Sequence, residues 1–337
     1  MKTPVSISLS IGVSLFLLVS GPSLSSQSAP KKHAHVTEAY QQRVFDTPND
    51  NRRRWSKNAL LSFRQYGKSQ KENILVYDQD GKVSREGTVF LPDAEAVSMF
   101  DATLNGSGLL LASGGTRDMK GHIAHFIAQL NETGHVAHVV RTTPFMARQI
   151  CIARDDGTVW AYSGDQGTMK DSAVLEQYSF EKGLLKALFP RKELGREWWL
   201  LDGATPDQIH LACTSQRVVV FNAQSDVLLE YDLSSDQATR RQVTPLPGHK
   251  DLLITGFCMT EDGLILASLY QKTHQPPMTG VFQLSFDNQK GEWIRLEETL
   301  HPAQPDSDFQ IIGTNGTDVI YSRSFVDRSL SWAKLTH

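Results

Sequence analysis

The sequence is short of the features that announce most function classes. Only three of its 337 residues are cysteine, which excludes a fold stapled by many disulfides. Lys plus Arg number 34 against 37 for Asp plus Glu, with no long run of one sign. That balance argues against a nucleic-acid partner held by phosphate neutralisation. The chain carries no G-x-S-x-G elbow, no Walker loop and no dinucleotide fingerprint. Helical periodicity is nearly absent, so the body of the chain must be built from strands.

The N-terminus, MKTPVSISLSIGVSLFLLVSGPSLSSQSAP, has one Lys, an apolar run from Val5 to Ser20 and then small residues broken by Gly21 and Pro22. This is the pattern of a secretory leader, expected over residues 1–28 with cleavage between Ser25 and Ala29. The run falls short of the roughly 20 strongly apolar residues of a membrane span. Residues 29–35 are expected to be a short disordered linker, and 36–337 one domain. The mature protein is then expected in the periplasm or secreted, soluble, free of the membrane and monomeric. Cys151, Cys213 and Cys258 each sit in an apolar run (QICIA, HLACT, GFCMT), where a free thiol behaves as a small core hydrophobe. All three are read that way, and their odd number leaves at least one unpaired in any case.

What the chain does have is a repeat. SMFDATLNGSGLLLASGG, ICIARDDGTVWAYSGD, WLLDGATPDQIHLACTSQ, TGFCMTEDGLILASLYQK and IIGTNGTDVIYSRSF read as hairpins, preceded by a weaker copy, RWSKNALLSFRQYG. Their turns centre near Asn58, Ser107, Gly157, Gln208, Gly263 and Gly316, at separations of 49, 50, 51, 55 and 53 residues. Periods of that size belong to propellers and arrays. Between them lies a second class of hairpin: NILVYDQDGKVSREG, HIAHFIAQLNETGHVAHVV, VLEQYSFEKGLLKALF, VVVFNAQSDVLLEYDL and VFQLSFDNQKGEWIRLEE. Two hairpins per repeat make a four-stranded antiparallel sheet, the blade of a β-propeller. The last repeat stops a strand short, and HAHVTEAYQQRVFDT at the N-terminus can supply the missing strand. The expected fold is therefore all-β: a single six-bladed propeller closed by strands from both termini, which leaves no open sheet edge.

Units such as ICIARDDGTVWAYSGD followed by VLEQYSFEKGLLKAL resemble the blades of six-bladed propellers of the NHL and TolB-like kind, in which an inner hairpin with an Asp-Gly turn precedes an outer hairpin ending in a glycine turn. The resemblance implies architecture over nearly the whole mature chain. It implies no ligand, because such propellers include binding scaffolds, lyases and hydrolases. No Trp-Asp dipeptide closes the repeats, which sets them apart from WD40 units.

Four of the eleven histidines crowd into GHIAHFIAQLNETGHVAHVV. With Gly134 in a left-handed turn position, Asn131 stands opposite His135 and residue numbers across the ladder sum to about 266. His125 then faces Arg141, His138 faces Ala128 and His122 faces Pro144. His122 and His138 end up roughly 20 Å apart at the usual strand rise, whereas zinc ligands lie about 2 Å from one ion. These histidines are read as polar residues of a half-exposed outer strand, with no metal and no cofactor expected. YDQDGK resembles a calcium loop, but Gly81 at loop position 6 puts Val76 and Gly87 where carboxylates are needed. Asn105, Asn131 and Asn315 head N-x-[ST] triplets, yet a turn demands the same residues. Arg52, Arg53 and Arg54 read as a solvated loop.

In a propeller the segments leading into the innermost strands converge on one mouth of the central channel. Here they carry Glu95, Arg148, Glu197 with Trp198, Lys250 with Asp251, and Asp308. Glu95, Arg148, Glu197, Trp198, Lys250 and Asp308 are the candidate ligand-binding residues, with no catalytic residue assigned. Two functions follow. One is an exported module that binds a polar ligand or a protein partner through the channel mouth. The other is a propeller enzyme, either a metal-assisted lactonase or hydrolase or a lyase, needing carboxylates around one divalent ion. Arg148 and Lys250 among the carboxylates would repel such an ion, which favours the binding module.

Overall fold

The computed structural model describes residues 34–49, 51–154, 157–163, 172–194, 208–245, 252–271, 280–287, 290–296, 310–316, 318–322 and 328–336. The expected leader, residues 1–28, lies outside the described residues. These residues are nearly all strand, and their one α-helix is the single turn α1 (Arg191–Leu194).

The strands, numbered in chain order, fall into six consecutive antiparallel units. The first holds β2 (Asn51–Ser56), β3 (Ala59–Arg64), β4 (Lys71–Tyr77) and β5 (Val83–Phe90). The second holds β6 (Ala96–Leu104), β7 (Leu110–Arg117), β8 (Ile123–Leu130) and β9 (Val136–Arg141). The third holds β10 (Ala147–Cys151), β11 (Thr158–Ser163), β12 (Ala173–Ser179) and β13 (Gly183–Pro190). The fourth, β14 (Ile209–Cys213), β15 (Arg217–Asn222), β16 (Val227–Asp232) and β17 (Gln237–Val243), shares a sheet with the fifth, β18 (Leu252–Met259), β19 (Ile265–Gln271), β20 (Gly280–Asp287) and β21 (Lys290–Arg295). What joins them is a short parallel contact, Gln242 beside Lys290 and Val243 beside Gly291. The last unit holds β22 (Gln310–Asn315), β23 (Asp318–Ser322) and β24 (Ser329–Thr336), and its fourth strand is the N-terminal β1 (His35–Val44), which pairs antiparallel with β24 from Val44 opposite Ser329 to His35 opposite Thr336. Ala34, assigned from sequence to a disordered linker, is 2% exposed and its N–H donates to Gln283 Oε1 at 3.0 Å.

The turns share one local device. Asp78, Asn105, Asp118 and Asn131 each turn a side-chain oxygen back to accept backbone N–H groups up to four residues on, and Gly81, Gly108, Gly121 and Gly134 follow at the left-handed position. A short polar side chain holds the loop while glycine takes a φ that costs other residues. Of the two carboxylates of the calcium-like YDQDGK, Asp78 is thus engaged with its own turn and Asp80 pairs with Arg43. At Gly134 the demand is also steric, because a Cβ there would collide with Glu86 O of the first unit, whose Thr88 N–H donates to Gly134 O at 2.7 Å.

Five of the six inner turns lie where the sequence places them, and the fourth does not. Its strands β14 and β15 turn at Thr214–Gln216, not near Gln208, and VVVFNAQSDVLLEYDL forms β15 and β16 instead of an outer hairpin. The missed turn contains no glycine. Thr214 Oγ1 accepts from Gln216 N at 3.3 Å and Arg217 N at 3.1 Å, doing with a hydroxyl, as Thr260 does at the fifth inner turn, what Asp78, Asn105, Asp118 and Asn131 do with a carboxylate or amide oxygen.

Among the described residues, six hydrophobic clusters fill the space between sheets. Trp160, Tyr231, Leu211 and Val220, for instance, pack between the third and fourth units, and Trp55, Trp332 and Ile312 between the first and last. The strands β2, β6, β10, β14, β18 and β22 each touch the next in that order, and β22 touches β2. Between β18 and β22 the approach is so close that a Cβ on Gly256 would collide with Ile311 O, which restricts that position to glycine.

Candidate functional site

All six of these strands line a single cavity of about 810 Å³. Its wall is polar, with Asn51, Gln65, Gln149, Thr255 and Gln310 set among aliphatic side chains. A β-bulge interrupts the cavity-lining strand of four units, at Phe100, Arg148, Thr255 and Ile312. An extra residue on one strand bends it and re-aims a side chain, and three of these four line the cavity.

The wall is held by side chains that cross from one unit to the next. Gln149 of β10 clamps β14, donating to Ile209 O at 3.0 Å and accepting from Leu211 N at 2.7 Å. Gln310 of β22 donates to Thr255 O at 2.9 Å, and Ile311 N donates to Ser268 Oγ at 2.9 Å. Arg54 of β2 forms an ion pair with Asp101 of β6, whose carboxylate is fully buried. Cys151 of β10 and Cys213 of β14 form a disulfide, with Cα atoms 6.1 Å apart. This corrects the reading of all three cysteines as free. Only Cys258 stays a thiol, half-buried in the cavity wall, and burial pushes its pKa up to about 12.

Of the six residues singled out from sequence, Glu197, Trp198, Lys250 and Asp308 lie outside the described residues. Glu95 is exposed, lies 3.9 Å from Arg117 and is not among the cavity-lining residues. Arg148 does line the cavity. Its Nη1 donates to Tyr66 Oη at 2.8 Å, and its guanidinium carbon lies 5.4 Å and 5.2 Å from the ring centres of Tyr66 and Phe100.

The residues underrated from sequence are Arg52, Arg53 and Arg54. They are no solvated loop: they lie half-buried on β2, in the cavity wall. β2, NRRRWS, has only Trp55 as a buried apolar anchor, so a run of charges conceals a strand whose other neighbours are distant in sequence.

The four crowded histidines are dispersed. A bulge after the Gly134 turn shifts the ladder by one, so His138 faces Gln129 and Arg141 faces Phe126. His125 is buried against Phe100, with ring centres 6.1 Å apart, which corrects its half-exposed placement. His122 is exposed and bonded to Asp118, and His138 packs on Phe180. Among the described residues no group of three or more His, Cys, Asp and Glu side chains is gathered as a metal site.

Sheets of this kind, with their innermost strands around one cavity, define a β-propeller. One solved β-propeller superposes well enough to bear on the fold, and two others are similar at lower scores. The β-propeller domain of Myceliophteria thermophila Cps50 (Swd1) superposes with a TM-score of 0.50 at 15% identity, over 84% of this chain and 82% of that one. The periplasmic gluconolactonase PpgL of Pseudomonas aeruginosa gives 0.48 at 12% identity over 82% and 79%. A Bacteroides caccae protein of unknown function gives 0.42 at 13% over 80% and 94%. At such identities the likeness concerns the fold alone. No protein-family model matches the chain, and no curated protein matches it in sequence.

Proposed function

We propose that the six units are the blades of one ring, closed by β1 beside β24, and that the protein is an exported binding module that takes a small polar ligand in its central cavity. The observation that carries this reading is the single cavity of about 810 Å³ walled by all six innermost strands. Small-ligand sites are concave spaces of roughly 300–1,000 Å³ with a few placed polar groups. Its wall supplies amide, hydroxyl and guanidinium groups, and the inter-blade hydrogen bonds keep them in place. Export rests on the leader-like N-terminus together with the Cys151–Cys213 bond, since disulfides persist in oxidising compartments. The working form is a monomer of the chain that remains after the leader is removed, without membrane attachment.

A panel of small metabolites screened by thermal shift tests the cavity. At least one compound should raise the Tm of the wild type and lose that effect when Thr255→Trp fills the space. Compounds that raise the Tm of the filled variant equally would place binding elsewhere.

A further inference from the structure

The described wall of the cavity is lopsided in charge. It contains Arg52, Arg53, Arg54, Lys57 and Arg148 but only one carboxylate, Glu261. That carboxylate is spoken for at an inner turn, where it accepts from Ser215 N and Oγ at 3.4 Å. Arg54 is neutralised by Asp101. Arg52 makes no ion pair among the described residues, and Arg148 has only neutral partners: the Tyr66 hydroxyl and the faces of Tyr66 and Phe100. The Nε of Arg148 is buried and has no hydrogen-bond partner among the described residues.

Arg52 and Arg148 occupy the same level of the barrel of inner strands. Arg54 of β2 and Ile150 of β10 both bond to Asp101 Oδ2, and Arg52 and Arg148 each lie two residues earlier on the same strands. Both therefore stand at the end of the cavity where the chain runs into its inner strands. Guanidinium groups confined in a partly desolvated cleft repel one another and focus a positive potential, which an anion relieves. The same groups present planar pairs of donors that match carboxylate and phosphate oxygens two at a time.

Resting on the reading of the cavity as the binding site, we propose that the end of the cavity flanked by Arg52 and Arg148 is an oxyanion site, and that the ligand is a small organic anion bound through its carboxylate or phosphate oxygens. Arg148, held by Tyr66 and Phe100, supplies a fixed fork, and Arg52 closes on the ligand from β2. The asymmetry favours anions over neutral sugars or metal ions, because a cation brought to this end would meet two uncompensated positive charges.

Titration calorimetry with citrate and with inorganic phosphate, at low and at high salt, tests the assignment. At least one of the two anions should bind the wild type, and more weakly as salt rises. Arg52→Gln and Arg148→Gln should each weaken it at least tenfold, Arg52→Lys less so, and the surface variant Lys120→Gln should not change it. Thermal melts of each variant, within a few degrees of the wild type, establish that the fold survives. The better-bound probe tells carboxylate from phosphate. No binding of either anion by the wild type, or equal binding by both arginine variants, would overturn the oxyanion site. If a neutral metabolite from the panel still lost its effect in Thr255→Trp, the cavity reading would stand without it. If anion binding ignored Thr255→Trp as well as the arginine variants, both would fall.

Discussion

Arg54 and Asp101 join three consecutive sheets through one carboxylate. Arg54 Nη1 on β2 pairs with Asp101 Oδ2 on β6, and the same oxygen accepts from Ile150 N on β10 at 2.9 Å. The Asp101 side chain has no exposure to solvent, so its charge depends on these two partners.

Removing that carboxylate strands a half-buried guanidinium and a buried backbone N–H. Asp101→Ala should cost on the order of 3 kcal/mol, read from urea unfolding. The exposed pair of Arg43 and Asp80 provides the contrast: Asp80→Ala should cost less than about 1 kcal/mol. Equal losses at both sites would show that Asp101 is no keystone.

The disulfide between Cys151 and Cys213 spans 62 residues of sequence and ties the third sheet to the fourth. Restricting the unfolded chain over a loop of that length stabilises by about 2–4 kcal/mol. Reductant should therefore lower the melting temperature of the wild type. It should leave the Cys151→Ala/Cys213→Ala double variant unmoved, whereas Cys258→Ala should melt like the parent in its response to reductant.

Glu176 on β12 is 7% exposed and accepts from Tyr178 Oη. Burial raises its pKa above the ordinary 4.5, outweighing the opposing pull of the Tyr178 hydrogen bond and of Arg191. A carboxyl whose folded pKa is raised holds its proton more tightly in the native state, so its contribution is fully present below about pH 4.5 and is lost as pH rises through the folded value. Wild type and Glu176→Gln, unfolded in parallel from pH 4 to pH 8, should diverge in the variant's favour over that window. A constant difference across the range would refute the raised pKa.

Deleting residues 29–46 removes β1 and Phe45, which is fully buried between Tyr77 and Trp332, and bares the edge of β24 to other chains. Size-exclusion chromatography should show the truncated protein aggregating. A monomer as heat-stable as the parent would disprove closure by the N-terminal strand.

Strand content, hairpin repeat and most turn positions were legible because they are local. Alternation of apolar and polar residues sets a strand, and Asx or glycine three residues apart sets a turn, within a span of a few residues. The same locality explains the one misplaced turn, where the Thr214 hydroxyl replaces the expected signal, and the one-residue slip around Gly134, where a bulge enters the ladder. The pairing of β1 with β24 was also foreseen, from counting strands.

What sequence could not decide is which side chains share the cavity. Arg52, Arg148, Thr255 and Gln310 are separated by most of the chain, and they share one wall only because every unit turns its first strand inward. The partner that neutralises Arg54 comes from another sheet, as does the sulfur that Cys151 bonds in Cys213. Local physics wrote the strands into the sequence. Charge balance and covalent cross-linking around the cavity depend on distances between residues far apart in the chain, and only tertiary packing sets those.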